Sequence, residues 1–196
     1  LGVEQTHLAA LPVGVSEQDQ WDSSFATPAS AQQWLNALSA AIRGLPRGRL
    51  QAAIISVPGV VDEARGKAML CPNIGWAQDV DFAETVGHQV ACPLFLIQEI
   101  RALALGHLVS EPGFSDFLLV DVGSGVGAAA VVGGAIYRGP LALSGELGHI
   151  PVPGNTRPCG CGGLSSCSRC RGVGRRRELV AELSLAPGKA DLRGVA

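Results

Sequence analysis

The chain has 196 residues, 47% hydrophobic and 16% charged, so it is long enough to bury a core and does not have the composition of a disordered protein. A formal net charge of −2 gives no electrostatic indication of binding to nucleic acid or an anionic membrane. The sequence has no apolar run long enough to span a bilayer and no signal peptide, so we expect no membrane association and a cytoplasmic protein, in which structural disulfides are rare.

The first half of the chain alternates between predicted strands and helices, in the order strand, helix, strand, helix, strand, helix. Apolar runs indicate the strands, and apolar residues at helical spacing indicate the helices. Ser30 is a candidate N-cap for the first helix, and Gly44 is a candidate stop. The predicted strands are 1–12, 50–59 and 93–98, and the predicted helices are 31–43, 81–91 and 99–110. Residues 13–29 are predicted to be a loop or irregular edge, and residues 60–79 carry turn signals.

The second half opens with a glycine-rich meander at residues 114–139, which predicts strand, turn, strand, turn, strand. Strand–helix alternation followed by a meander indicates an α/β fold with mixed sheets. We expect an N-terminal lobe at 1–98 and a C-terminal lobe at 99–196. After Cys170 the sequence becomes rich in arginine and glycine, which gives it little capacity to form a core.

The six cysteines fall into two groups. Cys71 and Cys92 have apolar neighbours and are predicted to be buried thiols. The other four lie within a dozen residues, after a histidine, and tetrahedral zinc takes nitrogen and sulfur ligands of this kind. The predicted zinc ligands are His149, Cys159, Cys161 and Cys167, with Cys170 as the alternative to His149. The other interpretations are four unrelated thiols, or a disulfide in an exported protein.

Several motifs occur together in the order typical of one family. The turn at residues 145–149, GELGH, is followed ten residues later by Cys159-Gly-Cys161, and this pairing resembles the signature of the ROK family of repressors, open reading frames and sugar kinases. Residues 56–62, SVPGVVD, resemble the family's sugar-side Pro-Gly turn. Residues 72–76, PNIGW, and the glycine-rich stretch 120–150 also resemble family motifs.

The resemblance implies an actin-like, ribonuclease-H-like fold, in which two α/β lobes enclose a cleft for the sugar. The family has a closing helical segment after the zinc loop, so we expect the chain to be truncated at its C-terminus. The family's frequent dimers imply a homodimer.

The resemblance also implies a sugar site. Glu146 would hydrogen-bond sugar hydroxyls, and His149 would contact the sugar with one ring nitrogen and zinc with the other, so that zinc organises the site. The implied sugar-binding residues are Gly59, Asn73, Gln98, Glu99, Glu146 and His149. Asn73 has the alternative role of a turn residue after Pro72. Two departures stand in the zinc loop: Cys167 lies one residue later than the family's third cysteine, and Arg169 replaces a sugar-contacting glutamate.

Phosphoryl transfer needs a carboxylate base and a backbone cradle for phosphate. Family kinases use the Asp of an Asn-Asp pair as the base. Glu99 stands at that place and would be the catalytic base only in a kinase. It is equally explained as a helix-start residue, which the helix dipole favours. The first phosphate loop is replaced by residues 3–7, VEQTH, without a glycine pair. The second, Gly123, Ser124 and Gly125, is intact, although a tight hairpin turn would need the same residues.

We therefore expect the sugar-sensing effector domain of a ROK-type transcriptional regulator without kinase activity. Its cofactor would be structural zinc, and its DNA contacts would need a segment absent from this chain. The alternative is a kinase that uses ATP and Mg²⁺ to phosphorylate a hexose or N-acetylhexosamine. A third hypothesis is a remnant with a scaffold role.

Overall fold

The computed structural model describes residues 1–11, 20–46, 50–122, 125–139 and 145–150. The chain divides into two compact units, Leu1–Ala102 and Leu103–Ala196, which are described separately. The lobe boundary predicted after residue 98 stays a prediction. Every helix in the described ranges is too short or too polar to cross a membrane.

The described elements are nine strands, three α-helices and two 3₁₀ turns. The strands are β1 Gln5–Ala10, β2 Trp21–Ala26, β3 Ala53–Val57, β4 Val60–Asp62, β5 Lys67–Leu70, β6 Leu94–Gln98, β7 Phe117–Val122, β8 Val126–Val132 and β9 Ala135–Ile136. The helices are α1 Ala31–Ile42, α2 Phe82–Val90 and α3 Glu99–Ser110, and the 3₁₀ turns are Gly75–Asp79 and Leu147–His149. Parallel pairing of β3 with β6 and antiparallel pairing elsewhere confirm the predicted mixed α/β architecture.

The core of the first unit is built around three aromatic side chains. Trp34 of α1 lies 5.6 Å from Trp76 and 5.8 Å from Phe82 of α2, measured between ring centroids. Trp34 and Phe82 are almost completely buried, so both helices direct apolar side chains inward, and for α1 this agrees with the predicted apolar spacing. Ser30 caps α1 by accepting a hydrogen bond from the Gln33 amide, which confirms the predicted helix start.

The second unit contains the predicted meander, with β8 between β7 and β9. The turn from β8 to β9 uses Gly133 and Gly134, both at positive φ. The carboxylate of Asp116 accepts a hydrogen bond from the Gly133 amide at 2.9 Å. The pKa of Asp116 is lowered mainly by the hydrogen bond from Ser115 and also by the one from Gly133, since both bonds stabilise the ionised carboxylate.

Two predictions for the first unit were wrong. The stretch 13–29, predicted as a loop or irregular edge, contains the regular strand β2, whose half-buried residues alternate with exposed ones as it pairs with β1. The stretch 60–79, predicted as turns, contains the β4–β5 hairpin and a 3₁₀ turn. Strands of three and four residues are too short for a two-residue hydrophobic period to be visible in the sequence.

Candidate functional site

One edge of the β3–β6 sheet brings together several residues of the predicted sugar site. Because the strands are parallel, their carboxyl ends lie at the same edge, and Val57 stands opposite Gln98. Gly59 follows β3 after one proline, and Glu99 follows β6 directly. Gly59, Gln98 and Glu99 therefore meet at one place although they are distant in sequence. Ligands of open α/β folds commonly bind at such an edge.

Gly59 brings the β4–β5 hairpin against this edge. Its φ is +100°, and a Cβ there would lie 2.1 Å from the carbonyl oxygen of Leu70 and 3.2 Å from Cα of Cys71. Only glycine permits this close approach of two backbone segments. Asn73 comes two residues after Cys71, in a turn in which the Ile74 amide donates to the Cys71 carbonyl. Asn73 is therefore close in sequence to the backbone segment, Leu70 and Cys71, that Gly59 contacts.

Gln98 and Glu99 differ sharply in exposure. Gln98 is buried as the last residue of β6, whereas Glu99 is exposed as the first residue of α3. A carboxylate in the first turn of a helix is stabilised by the positive end of the helix dipole. The position of Glu99 therefore fits a helix-start residue and also presents a carboxylate at the sheet edge, as a sugar ligand or base would require.

A buried ion pair lies beside this edge and was missed from the sequence. The Arg101 guanidinium, in the first turn of α3, donates to Glu63 Oε1 over 3.1 Å from Nη1. Both side chains are largely buried, with 7% and 12% of their surfaces exposed. The partners are 38 residues apart, so no local spacing could have indicated the contact. The available signal was that each charged residue lies within four residues of a predicted sugar-site residue.

Cys71 directly follows β5 and lies in the backbone segment that Gly59 contacts. Its thiol is buried, as predicted, and this burial raises its pKa to about 11, because the thiolate would lose its hydration. Cys92 is half-buried rather than fully buried. Neither Cys71 nor Cys92 has a disulfide partner among the described residues.

The second unit, described by itself, contains the turn at residues 145–149. Gly145 has a φ of +97°, and its carbonyl accepts a hydrogen bond from the Ala128 amide in β8 at 3.2 Å. A Cβ on Gly148 would lie 2.1 Å from the carbonyl oxygen of Val126. Both glycines therefore let this turn lie directly against the backbone of β8.

The turn places Glu146 and His149 side by side. Glu146 Oε2 lies 3.6 Å from His149 Nε2, and the two side chains are 21% and 31% exposed respectively. Both groups therefore remain accessible to a ligand while being held on a well-packed backbone. A carboxylate beside an imidazole offers the hydrogen-bond acceptor and donor that sugar hydroxyls need.

Other predicted site residues lie outside the described ranges. These are Gly123 and Ser124 of the second phosphate loop and the cysteines Cys159, Cys161, Cys167 and Cys170. Gly125 is described and directly precedes β8. Of the predicted zinc ligands the structure describes His149 alone, and within the described ranges no three or more His, Cys, Asp or Glu side chains are grouped as a metal site requires.

The stretch that corresponds to the kinases' first phosphate loop has side-chain contacts of its own. Thr6 is buried, and its hydroxyl accepts a hydrogen bond from Trp34 Nε1 at 3.0 Å. The Thr27 hydroxyl lies 3.0 Å from the Thr6 hydroxyl and donates to the Gly2 carbonyl at 2.8 Å. This chain of hydrogen bonds ties the start of β1 to α1 and to the residue after β2.

Comparisons with known proteins agree with the motifs. The ROK family model matches residues 2–170. A xylose repressor from Caldicellulosiruptor bescii is 32% identical over 121 residues, which cover 61% of this chain and 30% of the repressor. An N-acetylmannosamine kinase from Escherichia coli O157:H7 is 29% identical over 188 residues, covering 94% of this chain and 64% of the kinase. The chain thus spans less than two thirds of the curated relatives it matches.

Solved structures give the fold. A ROK family glucokinase from Streptomyces griseus, in complex with glucose and AMPPNP, has a TM-score of 0.73 and 26% identity, covering 86% of this chain and 54% of the kinase. A ROK family transcriptional regulator described as a homolog of the E. coli MLC protein has a TM-score of 0.71 at 21% identity, covering 100% and 51%. These neighbours confirm the predicted actin-like, ribonuclease-H-like α/β class.

Proposed function

Because the chain belongs to the ROK family, we propose that it is the sugar-sensing effector domain of a transcriptional regulator and lacks kinase activity. The observation that carries this proposal is the contrast between the turn at residues 145–149 and the start of β1. The turn holds Glu146 and His149 together on packed glycines, as a sugar site needs. The start of β1 offers no glycine pair to phosphate.

The contacts of β1 support the absence of phosphoryl transfer. A phosphate cradle needs several backbone N–H groups open to the ligand, which glycines in a loop provide. Here Gln5–Ala10 is a strand, its backbone pairs with β2, and Thr6 is engaged with Trp34. The similarity to xylose repressors supports the same interpretation, and we propose a neutral sugar as the ligand.

Zinc is proposed as the structural cofactor that fixes the turn. His149 with the thiolates of Cys159, Cys161 and Cys167 would form the one-nitrogen, three-sulfur set that zinc accepts, with Cys170 as the alternative to His149. The described part of this set fits, because His149 lies half-exposed beside Glu146 on the packed turn. Zinc would orient the imidazole for the sugar.

Two further parts of the proposal concern partners. The regulator would form a homodimer in the cytoplasm, and its DNA contacts would come from a segment outside these 196 residues. The net charge of −2 supports assigning DNA binding elsewhere.

The second candidate function is an ATP-dependent sugar kinase. Gly123, Ser124 and Gly125 keep the second phosphate loop in sequence, and the E. coli N-acetylmannosamine kinase matches 94% of the chain. In that case Glu99, exposed at the sheet edge, would be the base and would accept the proton of the attacking sugar hydroxyl.

Labelled ATP distinguishes the two candidates. The chain is incubated with Mg²⁺, γ-labelled ATP and, in turn, D-xylose, D-glucose and N-acetylmannosamine, and the Glu99→Gln variant serves as the matched control. The regulator predicts no labelled sugar phosphate above the level of Glu99→Gln. Turnover at about 1 s⁻¹ or faster, lost in Glu99→Gln, would establish the kinase instead.

A further inference from the structure

We propose that the Glu63–Arg101 ion pair sets the geometry of the sugar site by locking the β4–β5 hairpin to the first turn of α3. The inference rests on the proposed function, because it assigns Arg101 as a positioning residue of that same site. Arg101 would act through the residues on either side of it and would not contact the sugar.

Each end of the ion pair belongs to an element that carries predicted sugar ligands. Glu63 directly follows β4, the strand that begins after Gly59. The same hairpin leads into the turn that contains Asn73. Arg101 stands two residues after Glu99, in the first turn of α3. The pair is therefore a side-chain connection between the two segments whose spacing fixes the site.

Burial makes a purely stabilising role a poor explanation for this pair. Removing two charges from water costs about as much as their attraction returns, so a buried pair stabilises a fold little more than apolar side chains of similar volume. It does impose a direction and a distance, because the planar guanidinium accepts few geometries. On the same hairpin, Arg65 pairs with Asp62 at 3.5 Å. Because 78% of the Arg65 side chain is exposed, neither the argument from desolvation nor the argument from fixed geometry applies to that pair.

A second observation indicates that Arg101 belongs to a binding site. Its Nη2 atom is buried and has no hydrogen-bond partner within the described part of the chain. A buried donor without an acceptor is unfavourable, and such groups concentrate where a ligand or ordered water completes the network. The Nη2 group thus keeps its two N–H donors for an acceptor other than Glu63, such as an ordered water molecule.

The experiment separates positioning from stability. We compare wild type, Arg101→Met, Glu63→Met and the Glu63→Met/Arg101→Met double variant, with Arg65→Met as the exposed control from the same hairpin. Each is titrated with D-xylose, D-glucose and N-acetylmannosamine by calorimetry, and its unfolding midpoint in urea is measured. Hydrogen exchange over residues 58–74 and 96–103 is recorded without sugar.

We expect both single variants to bind the recognised sugar about tenfold more weakly and to exchange faster in both segments. The double variant should regain the urea midpoint, because no charge remains buried alone, yet its affinity should stay low. Arg65→Met should match wild type. Recovery of affinity together with the midpoint, or unchanged affinity in both single variants, would overturn the inference.

Failure of the proposed function gives a different result. In that case wild type binds none of the three sugars, and hydrogen exchange alone decides the role of the ion pair. Unchanged exchange in both segments of Arg101→Met would then overturn it, whereas faster exchange confined to those segments would support it.

Discussion

At the scale of single residues, Gly59 is constrained both by its backbone angle and by a neighbouring backbone segment. It combines a left-handed φ with a carbonyl oxygen 2.1 Å from where a Cβ would stand. Gly59→Ala should therefore lower the free energy of unfolding by about 3 kcal/mol, since overpacking adds to the unfavourable φ. Urea denaturation measures the change.

Gly66 is the matched control for this substitution. It also has a positive φ, +65°, but nothing lies within 4 Å of its would-be Cβ. Gly66→Ala should cost about 1 kcal/mol, the backbone contribution alone. Equal losses in the two variants would show that the contact with Leu70 is not tight and that Gly59 does not fix the hairpin against the sheet edge.

The Cys71 thiol makes a prediction about pH. Its folded pKa of about 11 lies above the value of 9.0 for a solvated thiol, so the folded state holds the proton more tightly than the unfolded state does. Stability is therefore complete below pH 9 and falls as the pH rises toward and beyond 11, by up to about 3 kcal/mol. Cys71→Ala should remove this part of the pH dependence.

The measurement compares slopes, so the lost packing of the thiol does not interfere. Urea midpoints of wild type and Cys71→Ala are recorded at several values between pH 8 and 11, and Cys92→Ala serves as the half-buried control. The wild-type midpoint should fall faster than that of Cys71→Ala, and Cys92→Ala should follow wild type. Parallel curves for all three proteins would contradict the assignment.

At the scale of elements, the connection between β1 and α1 depends on one buried hydroxyl. Thr6 accepts the indole N–H of Trp34, and valine has the same shape without the acceptor. Thr6→Val should leave the indole donor unsatisfied and lower the free energy of unfolding by about 2 kcal/mol. Thr85→Val, on the exposed side of α2, should cost less than about 0.5 kcal/mol. Similar costs in the two variants would argue against the buried network.

The turn at residues 145–149 gives a second prediction at this scale. Gly148→Ala pushes the turn away from Val126 and should displace both Glu146 and His149 from their present positions. Sugar affinity should fall about 100-fold or more, as expected for ligand groups displaced by an ångström. Gly113→Ala, in the same unit with open space around its Cβ, is the control for calorimetric titration. Undiminished affinity in Gly148→Ala would remove this turn from the site.

Local signals predicted the helices and the apolar strands but missed β2 and the β4–β5 hairpin. Helix α1 was recognisable because it combines apolar spacing with the capping side chain of Ser30. The cap of α2, Asp81, was not predicted and is seen in the structure. Strand β2, in contrast, has the polar run Asp22, Ser23 and Ser24 at its centre and pairs with β1 along its whole length. The β4–β5 hairpin owes its place to Gly59 and its contact with Leu70. Such tertiary contacts leave no periodicity in the sequence.

The candidate site follows the same division. Motif resemblance placed Gly59 and Gln98 in one site, and strand pairing brings them to one sheet edge. The turn carrying Glu146 and His149 was likewise visible, since its glycines mark it in the sequence. Arg101 and Glu63 were invisible, because a contact between residues 38 apart depends on how the hairpin packs against α3.

At the scale of the whole molecule, the proposed regulator would bind a sugar through Glu146 and His149 and transfer no phosphate. A ligand that binds only the native state raises its stability, and at about 100 times Kd the gain is about 2.7 kcal/mol. For a chain of this size that corresponds to a rise in Tm of about 5–10 °C.

The most direct test is the Tm of the chain with D-xylose, D-glucose or N-acetylmannosamine, each without ATP, for wild type and Glu146→Gln. We expect at least one sugar to raise the wild-type Tm by about 5 °C or more, and Glu146→Gln to lose this rise while its sugar-free Tm stays within about 2 °C of wild type. No rise with any of the three sugars, or an undiminished rise in Glu146→Gln, would show that this chain does not bind sugar through Glu146.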